Sequence, residues 1–251
     1  MIRVFVPRDS AARSVGADDV AAAIAKNAKH LGLKIVRNGS RGLFWLEPMV
    51  EVDTPSGRVA YGPVSAADVD SLVAAKFHEG GRHALSLGNI ESHPYLKNQE
   101  RLTFARCGIT DPVSVEDYVN HGGFEGLNKA LSMAGAAIVA EVSEAGLRGR
   151  GGAGFPARIK WKTVLDTEAG QKYVCCNADE GDSGTFADRM VMEGDPLMLI
   201  EGMAIAGIAT GATRGFVYIR SEYPDAIAAM KEAIATATAA IVYLIIVLIA
   251  P

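Results

Sequence analysis

The stretch Gly146-Leu-Arg-Gly-Arg-Gly-Gly-Ala-Gly-Phe-Pro156 says more about the fold and chemistry of this chain than any other. Five of its first nine residues are glycine, and Arg148 and Arg150 stand among them. Glycine tolerates positive φ and has no side chain, so the backbone N–H groups of such a loop can lie directly against a ligand. Arginines beside those amides favour an anion, above all a phosphate. The stretch therefore predicts a nucleotide cofactor.

The spacing of this glycine loop matches a known fingerprint only in part. Gly149, Gly151 and Gly154 satisfy the Gly-x-Gly-x-x-Gly spacing of dinucleotide-binding folds. That fingerprint follows a strand, whereas the residues before this loop, 136–145, predict a helix that ends at Gly146. From the pattern alone, a tight structural loop remains an alternative.

A polar run follows a short predicted strand about 25 residues further on. Tyr173–Cys176 is the strand, and Asn177-Ala-Asp179-Glu180-Gly-Asp182 comes directly after it. Ligands of parallel α/β sheets bind outside the carboxyl ends of the strands, so the position favours a cofactor site. An acidic surface loop built from Asx turns is the alternative.

Composition and charge narrow the class of protein. The chain has 251 residues and a net charge of −4, which argues against a nucleic-acid binder. Three cysteines, two of them adjacent, make no disulfide framework and predict a reducing cytoplasm. The five histidines lack metal-ligand spacing, so we predict no metal site. The first eight residues lack the long apolar core of a signal peptide, so we predict no secretion signal. The ten-residue apolar run at 241–250 is too short to span a membrane and predicts a buried strand.

The order of predicted elements divides the chain into an α/β fold with two domains. Residues 1–75 read as strand, helix, strand, hairpin and helix, which is a thioredoxin-like order. Residues 76–111 predict an extended linker. Strands and helices alternate over residues 170–251, which predicts a largely parallel, Rossmann-like sheet, apparently truncated after its last strand.

Six ordered blocks, within residues 94–230, closely resemble the FMN- and NADH-binding subunit of respiratory complex I and its relatives. The resemblance implies that residues 112–251 are the first part of an FMN/NAD-binding domain. The blocks are Glu144–Pro156, Ile159–Trp161, Tyr173–Glu180, Asp188-Arg189, Leu199–Met203 and Tyr218–Tyr223.

The same resemblance implies the cofactors and the residues that bind them. FMN converts between hydride from NAD(H) and single electrons for iron–sulfur clusters, so no side chain need act as an acid or base. Phe155 would stack on the adenine of NAD, and Asp182 would lie near the nicotinamide nucleotide. The residues expected to hold FMN are Gly149, Arg150, Gly151, Gly152, Lys160, Asn177, Asp179 and Glu180.

Residues 1–75 resemble the thioredoxin-like ferredoxin domain of the same superfamily, but without its cluster ligands. Where relatives place the cysteines of a [2Fe–2S] cluster, this chain has Ser10, Ser14, Ser40 and Phe44. Thiolates hold such clusters, so we expect a degenerate docking module that carries no cluster. A [4Fe–4S] cluster is expected only in a C-terminal part that this sequence lacks.

The residues of two further blocks resemble one branch of the family in particular. Gly181–Phe186 and Arg101–Gly108 resemble the beta (diaphorase) subunit of a soluble, NAD-dependent molybdenum formate dehydrogenase. The implied partners are a [2Fe–2S] gamma-type subunit and an alpha subunit that contains molybdenum and iron–sulfur clusters. Three alternatives stay open: the same subunit of an NAD-reducing hydrogenase or of complex I, a structural subunit that has lost its cofactor, and a stand-alone flavodoxin-like carrier.

Overall fold

The structure is a computed structural model that describes residues 1–182, 184–240 and 245–249. The chain divides into two compact units. The first contains Met1–Pro112 together with Glu193–Asp195, and the second contains the remainder. Ser183, residues 241–244 and residues 250–251 lie outside the described part, including the ends of the predicted strand at 241–250.

The first unit is built on one five-stranded sheet. In the sheet order β2-β1-β3-β4-β5, β1 runs parallel to β2, and β3 runs antiparallel to β1 and β4. A parallel β-α-β unit followed by an antiparallel hairpin and a helix is the thioredoxin-like topology, so this prediction is confirmed. The strands are β1 (Ile2–Phe5), β2 (Leu33–Val36), β3 (Val50–Thr54), β4 (Gly57–Tyr61) and β5 (Ser86–Asn89). The helices are α1 (Ser10–Ser14), α2 (Ala17–Leu31) and α3 (Val69–Ala74).

Local signals in the sequence explain these boundaries. Helix α2 ends at Gly32, which adopts φ 65° and closes the helix with its own N–H. The hairpin between β3 and β4 turns at Gly57, whose φ is 109°, a conformation that glycine tolerates. Ser65 and Asp68 form the capping box that their spacing predicts, although one 3₁₀ turn precedes α3. Each of these signals acts between residues that are close in the sequence, so each can be predicted from the sequence alone.

The stretch 76–111, expected to be a linker, contributes strand β5 to the first unit. Ser86 pairs with Tyr61 and Asn89 with Val59 at the sheet edge. The sequence Ser-Leu-Gly-Asn has weak strand propensity, so only the neighbouring edge of β4 makes it a strand. Ile90 and Leu96 then bury their side chains in a small apolar cluster beneath this edge.

Polar side chains are buried in the first unit around the positions that correspond to the cluster cysteines of relatives. Ser40 is buried, and its hydroxyl donates to one oxygen of the Glu47 carboxyl group at 2.8 Å. The Met49 N–H donates to the other oxygen of this group at 2.9 Å. Ser10 donates to Glu193 through its backbone N–H at 2.9 Å and through its hydroxyl. Ser10 and Ser40, two of these four positions, therefore hydrogen bond to the carboxyl groups of glutamate side chains.

The second unit contains a three-stranded parallel sheet, which confirms the Rossmann-like prediction. The order is β6-β7-β8, and the register pairs Cys176 with Val217 and Val217 with Leu248. The strands are β6 (Tyr173–Ala178), β7 (Arg214–Ile219) and β8 (Ile245–Ile249). The helices are α4 (Val115–Asn120), α5 (Glu125–Leu131), α6 (Gly135–Glu144), α7 (Ala157–Asp166), α8 (Ala187–Gly194), α9 (Pro196–Thr210) and α10 (Pro224–Ala240).

Helices α9 and α10 cover one face of this sheet. Met203 of α9 and Met230 of α10 pack in one core cluster with Val217 and Ile219 of β7. Helix α9 is apolar on all sides because α5, α6 and α7 also contact it. Along β6 and β7, the residues that alternate with the core positions are exposed or half-buried. The sheet therefore has one covered face and one face open to solvent in the described part of the chain.

Two helices of this unit were not predicted from the sequence. Helix α7 contains Arg158, Lys160 and Lys162, and each of its residues is at least partly exposed, so its apolar stripe is weak. Helix α8 follows the acidic run and begins without a Ser, Thr, Asp or Asn immediately before it. Its first N–H groups are capped by a residue that is remote in sequence, as described below. No helix in the described residues is long and apolar enough to cross a membrane.

A pH dependence of stability follows from the burial of Glu47. Burial, and after it the nearby Asp9 charge, raise its pKa from 4.5 to about 8. The unfolded chain ionises this carboxyl near pH 4.5, while the folded chain keeps it protonated up to about pH 8. Its contribution to the free energy of unfolding is therefore complete below pH 4.5 and is lost as pH rises to 8, at up to about 1.4 kcal/mol per unit.

We expect Glu47→Gln to flatten this part of the stability profile. The measurement is urea unfolding at pH 5, 6, 7 and 8, followed by Trp45 fluorescence in a Trp161→Phe background so that only the first unit reports. Glu100→Gln, an exposed change in the same unit, should keep the original slope. An unchanged slope in Glu47→Gln would contradict the assignment.

Candidate functional site

The glycine loop is a small hairpin that joins α6 to α7. The Gly149 N–H donates to the Phe155 carbonyl at 2.9 Å, and the Ala157 N–H donates to the Leu147 carbonyl at 2.9 Å. These two bonds close the base of the loop and leave residues 150–154 as its tip. The helix expected before the loop is present, and α7 begins directly after it. The loop therefore leads into a helix N-terminus but does not follow a strand.

The tip of the loop is open to a ligand. A Cβ added at Gly151 or Gly152 would meet no heavy atom within 4 Å. Gly152 adopts φ 98°, which strains any L side chain. Arg150 is exposed and makes no hydrogen bond or ion pair with any described residue. An unshielded backbone beside an unpaired guanidinium suits an approaching phosphate.

Lys160 and Phe155 lie together beside the loop. The Lys160 ammonium is 5.7 Å from the centroid of the Phe155 ring, and 44% of Phe155 is exposed. Trp161 turns the other way and packs with Ile138 and Ala209. From the sequence, Lys160-Trp161 could equally be a simple surface pair. In the structure Lys160 is exposed and Trp161 is half-buried.

The end of β6 lines a shallow depression of about 580 Å³ on the open face of the sheet. Asn177 accepts the Asp179 N–H at 3.2 Å through its side-chain oxygen, so an Asx turn follows the strand. Cys175 is exposed and Cys176 half-buried, on opposite sides of the strand, and burial raises the pKa of the Cys176 thiol to about 11. The lining residues are Cys175, Cys176, Asn177, Asp179, Phe216 and Tyr218.

The Glu180 side chain does not line this depression and instead hydrogen bonds to α8 and to Tyr223. Its carboxylate accepts the Asp188 N–H at 2.8 Å and the Arg189 N–H at 3.1 Å, which caps the start of α8. The Tyr223 hydroxyl donates to the same carboxylate at 3.1 Å. Burial and the neighbouring Glu180 charge raise the pKa of Asp188.

Several residues of this region were missed by sequence reasoning as site residues. Arg220 donates to the Glu180 carbonyl at 2.9 Å, and its guanidinium lies 5.4 Å from the Tyr223 ring centroid. The Arg189 guanidinium lies 4.1 Å from the Phe186 ring centroid. A usable signal existed, since Arg220 follows the next parallel strand and must therefore reach the same sheet edge as Asp179.

The structure brings the predicted site residues together only in local groups. Phe155 contacts Lys160, and Asn177 contacts Asp179. Asp182 is exposed, and its carbonyl accepts the Thr185 N–H at 3.4 Å. Among residues 1–182, 184–240 and 245–249, no group of three or more His, Cys, Asp or Glu residues could hold a metal ion.

A parallel sheet, a glycine loop at a helix N-terminus and polar groups after the strand ends define the class of nucleotide-binding α/β domains. Within that class, residues 142–248 match the family model described as the Nuo51 FMN-binding domain. This match confirms the resemblance seen in the sequence. The match includes the glycine loop, the β6 end and the Arg220–Tyr223 region.

Relatives among curated proteins carry names of two related kinds. The chain is 56% identical over 138 residues to the NADP-reducing hydrogenase subunit HndC of Solidesulfovibrio fructosivorans, covering 55% of this chain and 28% of that one. It is 49% identical over 139 residues to an NADH-quinone oxidoreductase subunit of Rhizobium meliloti strain 1021, covering 55% of this chain and 33% of that one. The chain thus spans about a third or less of the length of these relatives.

One solved structure aligns with nearly the whole chain. An NAD⁺-reducing [NiFe]-hydrogenase in the air-oxidized state aligns with 99% of this chain and 42% of its own, at 22% identity and a TM-score of 0.49.

The open tip of the loop generates a matched pair of tests. Gly152→Ala places a side chain at φ 98° and should strain the hairpin by about 1–2 kcal/mol, whereas Gly151→Ala adds a methyl at an unstrained position. We expect amide hydrogen exchange at Gly149, whose N–H closes the hairpin, to accelerate roughly tenfold in Gly152→Ala only. Equal exchange in the two variants would show that the loop does not have this conformation.

Proposed function

We propose that the chain is the FMN- and NAD-binding part of a diaphorase-type oxidoreductase subunit. The observation that carries the proposal is the open glycine tip with Arg150, which has no partner among the described residues, in a segment that matches the model of an FMN-binding domain. The names of the relatives, NADP-reducing hydrogenase and NADH-quinone oxidoreductase, support the same chemistry. All are oxidoreductases that use a nicotinamide nucleotide.

The residues of the loop fit the phosphate end of FMN. We assign the phosphate to the backbone N–H groups of Gly151 and Gly152 and to the side chains of Arg150 and Lys160. Gly149 supports this tip from its base, because its N–H donates to the Phe155 carbonyl. The loop presents uncovered N–H groups and exposed cations, which are the donors that a phosphate dianion requires. We assign the polar edge or ribityl chain to Asn177, Asp179 and Glu180 at the end of β6.

We assign the nicotinamide nucleotide to Phe155 and Asp182. Phe155 offers an exposed ring face for adenine, and Asp182 offers an exposed carboxylate for a ribose or amide group. When bound, FMN exchanges a hydride with NAD(H) and passes single electrons onward. The chain's own residues then bind and orient the two nucleotides, and none needs to act as an acid or base.

Within this class we propose formate as the physiological donor, in a soluble cytoplasmic enzyme. The support is the wording of Gly181–Phe186 and Arg101–Gly108. A [2Fe–2S] gamma-type subunit and an alpha subunit with molybdenum and iron–sulfur clusters would be the partners. A second candidate is a hydrogenase, which the 56% identity to HndC favours. In the whole protein, a [4Fe–4S] cluster would connect the flavin to those partners.

Binding of FMN tests the cofactor assignment directly. We titrate the 251-residue chain with FMN and follow quenching of flavin fluorescence, then repeat with Gly151→Val. The valine side chain fills the space in front of the loop, so we expect affinity to fall at least about tenfold. Gly170→Val is the matched control, because a Cβ at this exposed glycine also meets nothing within 4 Å.

The alternative of a cofactor-free structural subunit predicts a different result. It expects no saturable quenching by the unmodified chain and equal behaviour of both valine variants. Saturable binding that Gly151→Val leaves intact would instead place FMN elsewhere on the chain.

The donor is decided in the native complex. We purify the complex through an affinity tag on this chain and measure NAD⁺ reduction with formate and with hydrogen. Formate-dependent reduction supports the first candidate, and hydrogen-dependent reduction alone replaces it with the second. NADH-dependent reduction of a dye, together with no reduction of NAD⁺ by formate or by hydrogen, would favour complex I.

A further inference from the structure

Glu180 lies at the meeting point of three elements in the second unit. It follows β6, it caps α8, and it contacts residues that follow β7. Its backbone has φ 45°, a conformation that non-glycine residues seldom adopt. Such a conformation persists only when surrounding contacts hold it. The contacts around Glu180 therefore bear on the shape of the whole turn after β6.

The carboxylate of Glu180 is already supplied with donors. One oxygen accepts the Asp188 N–H, and the other accepts the Arg189 N–H and the Tyr223 hydroxyl. Hydrogen bonds to a charged acceptor are about twice as strong as neutral ones. To reach a ligand, the side chain would have to give up these three bonds. The neighbouring Asp179, in contrast, lines the depression, where a ligand can reach it.

The backbone of Glu180 is held as well as its side chain. Arg220 donates to the Glu180 carbonyl at 2.9 Å. The Arg220 guanidinium also lies against the Tyr223 ring, so the two residues support each other. Arg189 adds a second cation at 5.8 Å from the same ring. Side chain and carbonyl of one residue are thus clamped from two directions.

We propose that Glu180, Tyr223 and Arg220 are positioning residues that hold the Asn177–Asp179 turn in the conformation that receives FMN. This inference rests on the proposed function for its ligand, but not for its geometry. It narrows the earlier assignment: Asn177 and Asp179 contact the cofactor with their side chains, and the Glu180 side chain acts through α8 and Tyr223. The roles of Arg220 and Tyr223 are new.

A double-mutant cycle tests the proposal. The variants are Glu180→Gln, Tyr223→Phe and their combination, with Tyr173→Phe as the control. Tyr173 is an exposed tyrosine of β6 whose hydroxyl has no hydrogen-bond partner among the described residues. The first readout is amide hydrogen exchange at Asp188 and Arg189 in the chain without FMN. The second readout is the dissociation constant for FMN by fluorescence quenching.

We expect Tyr223→Phe and Glu180→Gln each to accelerate exchange at those two amides by roughly tenfold. The double variant should be little faster than either single variant, because both remove one network. The dissociation constant for FMN should rise in both variants and again fail to add. Tyr173→Phe should change neither quantity.

Two outcomes would overturn the proposal. Unchanged exchange in Tyr223→Phe would mean that the hydroxyl does not hold the carboxylate. Weaker FMN binding in Glu180→Gln with wild-type binding in Tyr223→Phe would make Glu180 a direct ligand. Should the unmodified chain bind no FMN, the proposed function fails while the exchange measurement still decides the clamp.

Discussion

The parallel pairing of β6 with β7 is the constraint on which the second unit depends. The register runs without a slip from Tyr173 opposite Arg214 to Ala178 opposite Ile219. Because both strands end at the same level, Asp179 and Arg220 leave the sheet side by side. That juxtaposition allows the bond from Arg220 to the Glu180 carbonyl, which helps to fix the turn after β6.

The same pairing separates the tasks of the two sheet faces. Ala178, Val217 and Ile219 are buried under α9 and α10 and supply the apolar contacts that stabilise the strands. The alternate residues, such as Asn177 and Tyr218, stay exposed and line the depression. A polar residue in this strand costs little in stability, because the period of two keeps it out of the core.

How far the sequence predicted this structure depends on the range of the interactions involved. The hairpin turn at Gly57 and the capping box of Ser65 and Asp68 involve neighbours in sequence, and both were predictable. Strand β5 was not, because it depends on the edge of β4. The same applies to the site. The residue types of the glycine loop were visible, but the orientation of Glu180 was not, since its donors lie 8, 9 and 43 residues away.

The two halves of the candidate site are prepared for a ligand in different ways. At the loop tip, Arg150 has no partner in the described part of the chain, and Gly151 and Gly152 are uncovered, so bonds to a phosphate would replace bonds to water. The turn after β6 is instead fixed by hydrogen bonds within the chain, so it loses little conformational entropy when a ligand binds. An exposed, charged loop tip suits a phosphate, which accepts hydrogen bonds from many directions. A planar ring, which demands matched geometry, is better served by the rigid end, and the Glu180 clamp supplies that rigidity.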